Sequence, residues 1–404
     1  MKNRCIVLFF LLLLFLLLTG CWDRRELDNI AIVSGMAIEQ GEDKAFTLTV
    51  EAINASELNP SLSKGLAPTI TFTLSGLTMG ELLNKMNIEG TRELNFSHAR
   101  TLVIDEKLAR EEGVSRFLQF LEKSGQVRND FQIIIAKDVS AKDLITTTYP
   151  VQKVPSMKMF QQFETLREQW GGVPESTLTD FVLSLTSPGK QPIIAAATIQ
   201  GNPQKGKKVE NNTELELPAM ITYEGIALFK KDRLVGFLPV EEARNVLWIR
   251  DLNRTTVSAP CGEDGYFALR VFNSHSTIDT SYEGNIPKVN VKLVVEGDVF
   301  DIQCANPLDS TDTYTSYEST MENHLETKLT KTINKVREEF GIDIFGFGEK
   351  MSKQHYKQFK EYKDHWDEQF VNADITVEAS VYIRRDGMRT KSFIEQLDDL
   401  NKLE

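Results

Sequence analysis

The chain has 404 residues, of which 41% are hydrophobic, with 58 Asp and Glu against 46 Lys and Arg for a formal net charge of −12. That length supplies cores for two or three domains. The acidic balance argues against a nucleic-acid partner and for a protein that stands off an anionic membrane rather than lying flat on it.

Lys2 and Arg4 precede an unbroken apolar run, Ile6 to Leu18. At 13 residues it has the length of a signal-peptide core and falls well short of the roughly 20 needed to span hydrocarbon. It ends in Leu18-Thr19-Gly20-Cys21, where small residues suit a narrow peptidase cleft and the tetrapeptide resembles the bacterial lipobox. Residues 1–20 are therefore expected to be a lipoprotein signal peptide, with Cys21 becoming the first mature residue and carrying S-diacylglycerol and N-palmitoyl chains. The alternative is an uncleaved apolar anchor in which the Cys is incidental. Two or three acyl chains, at about 0.8 kcal/mol per buried CH₂, hold a protein stably on a membrane. Trp22 to Leu27, an aromatic followed by alternating charges, reads either as a headgroup contact or as a solvated tether.

Asp28–Gln40 and Ala45–Asn54 are rich in Ile, Val and Thr and flank the turn Gly41-Glu42-Asp43-Lys44, which predicts two strands. Asn59–Pro68 reads as a loop and Thr69–Leu74 as a half-buried strand. Thr78 is placed to cap a helix to about Glu89, with Leu82, Leu83 and Met86 on one face. Arg100–Ile104 as strand, Ala109–Lys123 as helix and Phe131–Ala136 as strand complete a series that predicts a mixed α/β domain over residues 21–200. Helices at Met157–Gln169 and Thr177–Ser184 and a buried strand at Pro192–Gln200 close it.

Gly201–Thr213 is polar apart from Val209 and reads as a linker or long loop. The C-terminal region, 214–404, begins with a hairpin, Ala219–Lys230 and Arg233–Leu238 about Lys231-Asp232, followed by a helix from Pro239 to about Ile249. Four β-rich segments are expected between Thr255 and Gln303. From Tyr317 to Phe340, the spacing of Met321, Leu325, Leu329, Ile333, Val336 and Phe340 draws one helical stripe, expected to pack on the neighbouring sheet. Gly341 ends it. A charged helix at Glu349–Tyr362 and a strand at Asp374–Arg385 follow. Between them and the stripe, Ile344, Phe345 and Phe347 are too apolar for water, and at least two should be buried. The fold class expected overall is mixed α+β, with mixed sheets flanked by helices.

Of four cysteines, Cys5 would leave with the signal peptide and Cys21 would be acylated. Cys261 precedes one predicted strand, Tyr266–Asn273, and Cys304 follows another, Lys288–Ile302. If these are antiparallel neighbours, both sulfurs lie at one end of the ladder, and a disulfide and two separate buried thiols are the two readings. No zinc-binding His spacing, nucleophile elbow or phosphate loop is present, and neither a metal nor a cofactor is indicated. Asp343-Ile-Phe-Gly-Phe-Gly348 is glycine-rich but follows a helix and lacks Lys, which argues against a phosphate cradle. His98 beside Ser97 reads as a structural residue rather than a base.

Four segments carry a resemblance to a known family. Cys21-Trp-Asp-Arg-Arg-Glu-Leu27 straight after the lipobox looks like the start of the C-subunit lipoproteins of bacterial spore germinant receptors. Phe96-Ser-His98 with Leu102-Val-Ile104, Gly225-Ile-Ala-Leu-Phe-Lys230 through Leu234-Val-Gly236, and Asp343–Gly348 resemble later signatures of that family. The resemblance implies a non-enzymatic subunit, lipid-anchored on the outer face of the spore inner membrane, beside membrane-spanning A and B subunits that answer nutrients. It does not require this chain to touch the nutrient. Two other classes are distinguishable. A lipid-anchored solute-binding protein should show parallel strand–helix units in both halves, and a secreted cell-wall hydrolase should show a nucleophile, metal site or wall-binding repeat.

Overall fold

A computed structural model of the protein describes residues 29–59, 61–250, 252–262, 265–304, 308 and 310–385. Cys21 and Trp22–Leu27 lie outside the described residues.

Nine strands form the first sheet: β1 (Ile30–Gln40), β2 (Phe46–Ile53), β3 (Thr69–Gly76), β4 (Glu93–Asn95), β5 (Thr101–Asp105), β6 (Gln132–Ala136), β7 (Ile193–Gly201), β8 (Ala219–Lys230) and β9 (Arg233–Leu238). Their order is β3-β2-β1-β5-β6-β7-β8-β9, with the short β4 also on β1. The centre is parallel, β1 to β5 to β6 to β7, and both flanks are antiparallel. Central strands covered on both faces carry continuous apolar runs, as β5 does over Leu102-Val103-Ile104 and β6 over Ile133-Ile134-Ile135-Ala136. Leu102, Ile104, Ile133 and Ile135 enter one core, beneath the helices Met79–Glu89 and Ser115–Lys123. Val103, Ile134 and Ala136 enter the other, beneath Ala141–Thr146 and Pro155–Gln169.

The helix expected at Ala109–Lys123 is instead two, Glu106–Glu111 and Ser115–Lys123. Gly113 breaks it with φ +79°, and a Cβ there would lie 2.8 Å from an Asp232 carboxylate oxygen. The Asp232 carbonyl accepts the Val114 N–H at 3.0 Å, so the hairpin tip of β8–β9 fixes the break. The polar segment 201–213 joins two strands of one sheet, since β7 and β8 pair from Ile193–Leu228 to Gly201–Ala219. Two short turns, Pro203–Gly206 and Val209–Asn212, are held by buried Asn211, whose amide bonds both the N–H and the carbonyl of Ala219 and the carbonyl of Thr148.

The second sheet runs β10 (Thr255–Cys261), β11 (Gly265–Glu283), β12 (Ile286–Ile302) and β13 (Asp374–Arg385) in that order. Three strands occupy 255–302, not four segments, because β11 and β12 are 19 and 17 residues long and absorb irregularities at Ala268/Leu269 and Val271/Asn273 as bulges. Only β13 is parallel to its neighbour, so this half is not a series of parallel strand–helix units. The long helix, Thr311–Glu339, begins a turn and a half before the expected Tyr317 and buries Met321, Leu325, Leu329, Ile333 and Val336 against the sheet. Gly341 (φ +59°) ends it. The following helix is again two, Phe347–Gln354 and Tyr356–Tyr362, broken at His355, whose Nε2 bonds the Thr280 carbonyl at 2.6 Å. Cys261 and Cys304 face each other with Cα atoms 5.9 Å apart, within disulfide reach.

Candidate functional site

The place where the two sheets meet is built on the segment Asp343–Gly348. Gly341 releases the chain from the long helix, and Ile342, Ile344, Phe345 and Phe347 drive it back into the core, all at 3% exposure or less. Phe345 and Phe347 stack with centroids 5.2 Å apart, each 6.2 Å from Phe370. Gly346 takes φ +87°, so the backbone N–H groups of the turn converge inwards.

Asp343 fills that convergence. Its Oδ1 accepts the N–H of Phe345 at 2.9 Å and of Gly346 at 2.8 Å; its Oδ2 accepts the N–H of Gly348 at 2.7 Å and the Trp366 indole N–H at 3.0 Å. The glycine-rich loop thus forms an anion nest whose anion is its own side chain. The N–H groups that a phosphate cradle would use at Phe345, Gly346 and Gly348 are thus already taken. Burial pushes the Asp343 carboxyl up, and the backbone and indole donors pull against it.

The first sheet reaches this turn just ahead of β7. Gln191 donates its N–H to the Asp343 carbonyl at 2.8 Å, and a Cβ on Gly189 would meet Gly348 Cα at 2.7 Å. Arg250, ending the helix Val240–Ile249, ties both sides: Nε donates to the Ile344 carbonyl at 2.6 Å and Nη2 to the Gln191 carbonyl at 3.1 Å. Arg250 is half-buried and lines the clefts beside it, and burial pushes its pKa down to about 10 against the pull of Asp343 and Glu349. Lys190 pairs with Glu349 at 3.2 Å; burial and Arg250 push the ammonium down, and Glu349 opposes them.

Two clefts of about 550 and 490 Å³ open beside this junction and share Pro174, Glu175, Leu247 and Arg250. Arg167, Arg254 and Lys353 on their walls alternate with Glu168, Asp180 and Glu349, which makes a mixed-charge groove between the sheets. Among the described residues, no group of three or more His, Cys, Asp or Glu is placed to hold a metal ion. His98 and Ser97 are exposed on the turn between β4 and β5, where the Asn95 side chain accepts the Ser97 N–H and the Phe96 carbonyl accepts that of Ala99.

Two further buried ionisable groups escaped the sequence reading. Glu51 on β2 is fully buried and accepts from the Ser34 hydroxyl at 3.0 Å and the Ser156 N–H at 3.2 Å; burial pushes its carboxyl up to about 7. Lys158 lies under β8 with its ammonium on the Ile221 carbonyl at 2.9 Å, and burial pushes it down to about 8. Arg250, Lys190 and Trp366 were equally invisible, since each acts on Asp343 or its neighbours from a distant part of the chain. The sequence signal for the junction was Asp343 and its glycines.

The comparisons with known proteins agree with one another along the chain. Residues 23–199 match the family described as spore germination protein N-terminal domain, and residues 224–387 match spore germination B3/GerAC like, C-terminal. The chain is 27% identical to spore germination protein KC of Bacillus subtilis (strain 168), over 99% of this chain and 100% of that protein. It is 22% identical to spore germination protein B3 of the same organism, over 93% of this chain and 96% of that one. The crystal structure of the GerBC protein superposes with a TM-score of 0.56 at 18% identity, covering 86% of this chain and 96% of that chain. Matched in both halves and in fold, the chain belongs to the Ger(x)C family of spore germination proteins, the germinant-receptor C subunits.

Proposed function

We propose that this chain is a lipid-anchored, non-enzymatic C subunit of a nutrient germinant receptor, held by acyl chains on Cys21 at the outer face of the spore inner membrane and joined there to the membrane-spanning A and B subunits. The observation that carries the anchor is Leu18-Thr19-Gly20-Cys21 behind a 13-residue apolar run, together with the absence, among the described residues, of a helix long and apolar enough to cross a membrane. A structural role is supported by the junction itself. Asp343 has both oxygens taken by donors, and Arg250 is committed to two carbonyls. Such groups brace two sheets at a fixed angle and leave no oxygen free for proton transfer. In this reading the chain is a stiff element of the receptor.

The test is Cys21→Ala in the full chain. Incorporation of labelled palmitate should disappear, and the unprocessed form should accumulate. Spores should respond more slowly to nutrients, and receptor membrane subunits recovered with this chain should fall. Palmitate labelling that survives the substitution would sink the anchor; a normal nutrient response from spores lacking the whole chain would sink the receptor role.

A further inference from the structure

The start of the described chain marks one end of the first sheet. β1 leaves it at Ile30, and β4 starts beside it, Glu93 opposite Ile30. β2 runs back to the same end, Ala52 opposite Val33, and β3 departs from it, Thr69 opposite Ile53. The helix Met79–Glu89 also finishes there, because the Asn87 side chain accepts the N–H of Leu94 on β4.

This end gathers exposed aliphatic side chains, with Arg92 and Glu93 also exposed at its β4 side. Leu62 and Leu66, in the loop between β2 and β3, are 60% and 65% exposed; Ile70 at the start of β3 is 55% exposed and Ile88 is 82% exposed, with Leu58 beside them. Scattered exposed aliphatics are ordinary, whereas several gathered at one end of a fold mark a contact surface. The loop is also shaped to display them. Glu57 turns inward, and its carboxylate accepts from the Ser63 hydroxyl and from the N–H groups of Lys64 and Leu66 at 2.9–3.1 Å. Desolvation opposes the charge, yet these donors hold the Glu57 carboxyl below the usual carboxylate range. An inward carboxylate thus fixes the backbone while the leucines around it stay in water. Lys64 is the single charged residue between Leu58 and Pro68.

What covers this surface follows from the length of chain that leads to it. From Cys21 to Asn29 is eight residues, which at ~3.3–3.6 Å each reach no more than about 29 Å. We propose that this end of the sheet, with Leu58, Leu62, Leu66, Ile70 and Ile88, rests in the headgroup region of the bilayer that holds the acylated Cys21. The inference rests on the lipid-anchor reading and adds an orientation to it. The tether starts at this end, opposite Leu77, and so favours presenting it to the membrane; Lys64 extends its ammonium to lipid phosphates as its stem lies among the leucines. The acidic remainder of the protein stands away from the anionic leaflet.

The lipidated full-length chain is reconstituted in vesicles of phosphatidylethanolamine and phosphatidylglycerol, with or without brominated acyl chains. An environment-sensitive fluorophore is placed at Leu62→Cys or Leu66→Cys, and at Leu77→Cys as the opposite-end control, with the unsubstituted chain as background. The protein should float with the vesicles, and bromine quenching at positions 62 and 66 should exceed that at 77 several-fold. Flotation with equal quenching at all three positions overturns the orientation while leaving the anchor intact. Failure to float overturns the Cys21 anchor and the orientation with it. A probe at 62 that stays in water on vesicles, yet is shielded in native membranes holding the other receptor subunits, assigns the surface to a protein and overturns the lipid contact.

Discussion

Glu322, on the long helix, accepts the backbone N–H of Val381, on the edge strand β13, at 3.0 Å. Its neighbours repeat the contact: Glu318 accepts the N–H of Ile383 at 2.8 Å and Glu326 that of Ala379 at 2.9 Å. The spacing works because four residues of helix rise about 6 Å and two residues of strand about 6.6 Å. Three carboxylates therefore do for β13 what another strand would do, and the edge is closed to pairing with a second chain.

Glu322→Ala should leave the Val381 N–H without its acceptor and cost about 1–2 kcal/mol in chemical denaturation of the full chain, whereas Glu322→Gln, which keeps an oxygen there, should stay near the parent. Removing all three glutamates should also promote association through β13, read as a concentration-dependent rise in sedimentation coefficient. A triple variant as stable and monomeric as the parent would show that the edge needs no cover.

How much of this was legible depends on whether the deciding contact is local. Strands β1 and β2, the capped helix at Thr78 and the stripe from Met321 to Val336 all follow from periodicity and turns. The breaks at Gly113 and His355 do not, because Asp232 and Thr280, which hold them, are distant in sequence. The glutamates at 318, 322 and 326 share a face in plain view, but nothing local says that an edge strand lies opposite. Asp343 was legible as a turn, and its role as the turn's own anion became visible only when the donors were placed around it.

Asp343→Asn keeps the size of the side chain but replaces one accepting oxygen with a donor. Two of the four bonds become donor against donor, whichever way the amide is turned. With about 1–3 kcal/mol for each buried donor left unsatisfied, a loss of roughly 2–6 kcal/mol is expected in thermal or denaturant unfolding, with the clasp to Gln191 loosened. Hydrogen exchange at Gln191, Phe345 and Gly348 should accelerate more than at strands β5 and β6. An unchanged melting temperature would remove Asp343 as the brace.

Phe347 is fully buried between Phe345 and Phe370. Phe347→Ala should destabilise the protein by about 3–5 kcal/mol, and Phe347→Leu by clearly less. If Phe347→Ala instead left stability intact and impaired only receptor assembly, the side chain would be a docking element.

We expect Cys261 and Cys304 to be bridged in the mature protein. The bridge would close a loop of 43 residues, worth on the order of 4 kcal/mol in the chain-entropy account and less where the unfolded chain retains structure. Denatured, unreduced protein should show no thiol at either position, and reduction should lower the melting temperature. Free thiols at both positions in the mature protein would refute the bridge.

Glu51 sets a pH dependence whose sign follows from its burial. Its carboxyl, ordinarily near 4.5, is pushed up to about 7 in the folded chain, because desolvation outweighs the bonds from Ser156 and Ser34. The folded state therefore holds a proton that the unfolded chain releases. The stability linked to that proton is fully present below about 4.5 and is lost as pH rises through 7, a change on the order of 3 kcal/mol. Gln in its place carries no charge and can still accept from the Ser34 hydroxyl and the Ser156 N–H. Glu51→Gln should therefore match the parent near pH 5, exceed it near pH 8, and flatten the fall in stability between them when both are unfolded in denaturant across that range. Parallel profiles for the two proteins would mean that Glu51 stays ionised in the core and that the pH response belongs to other groups.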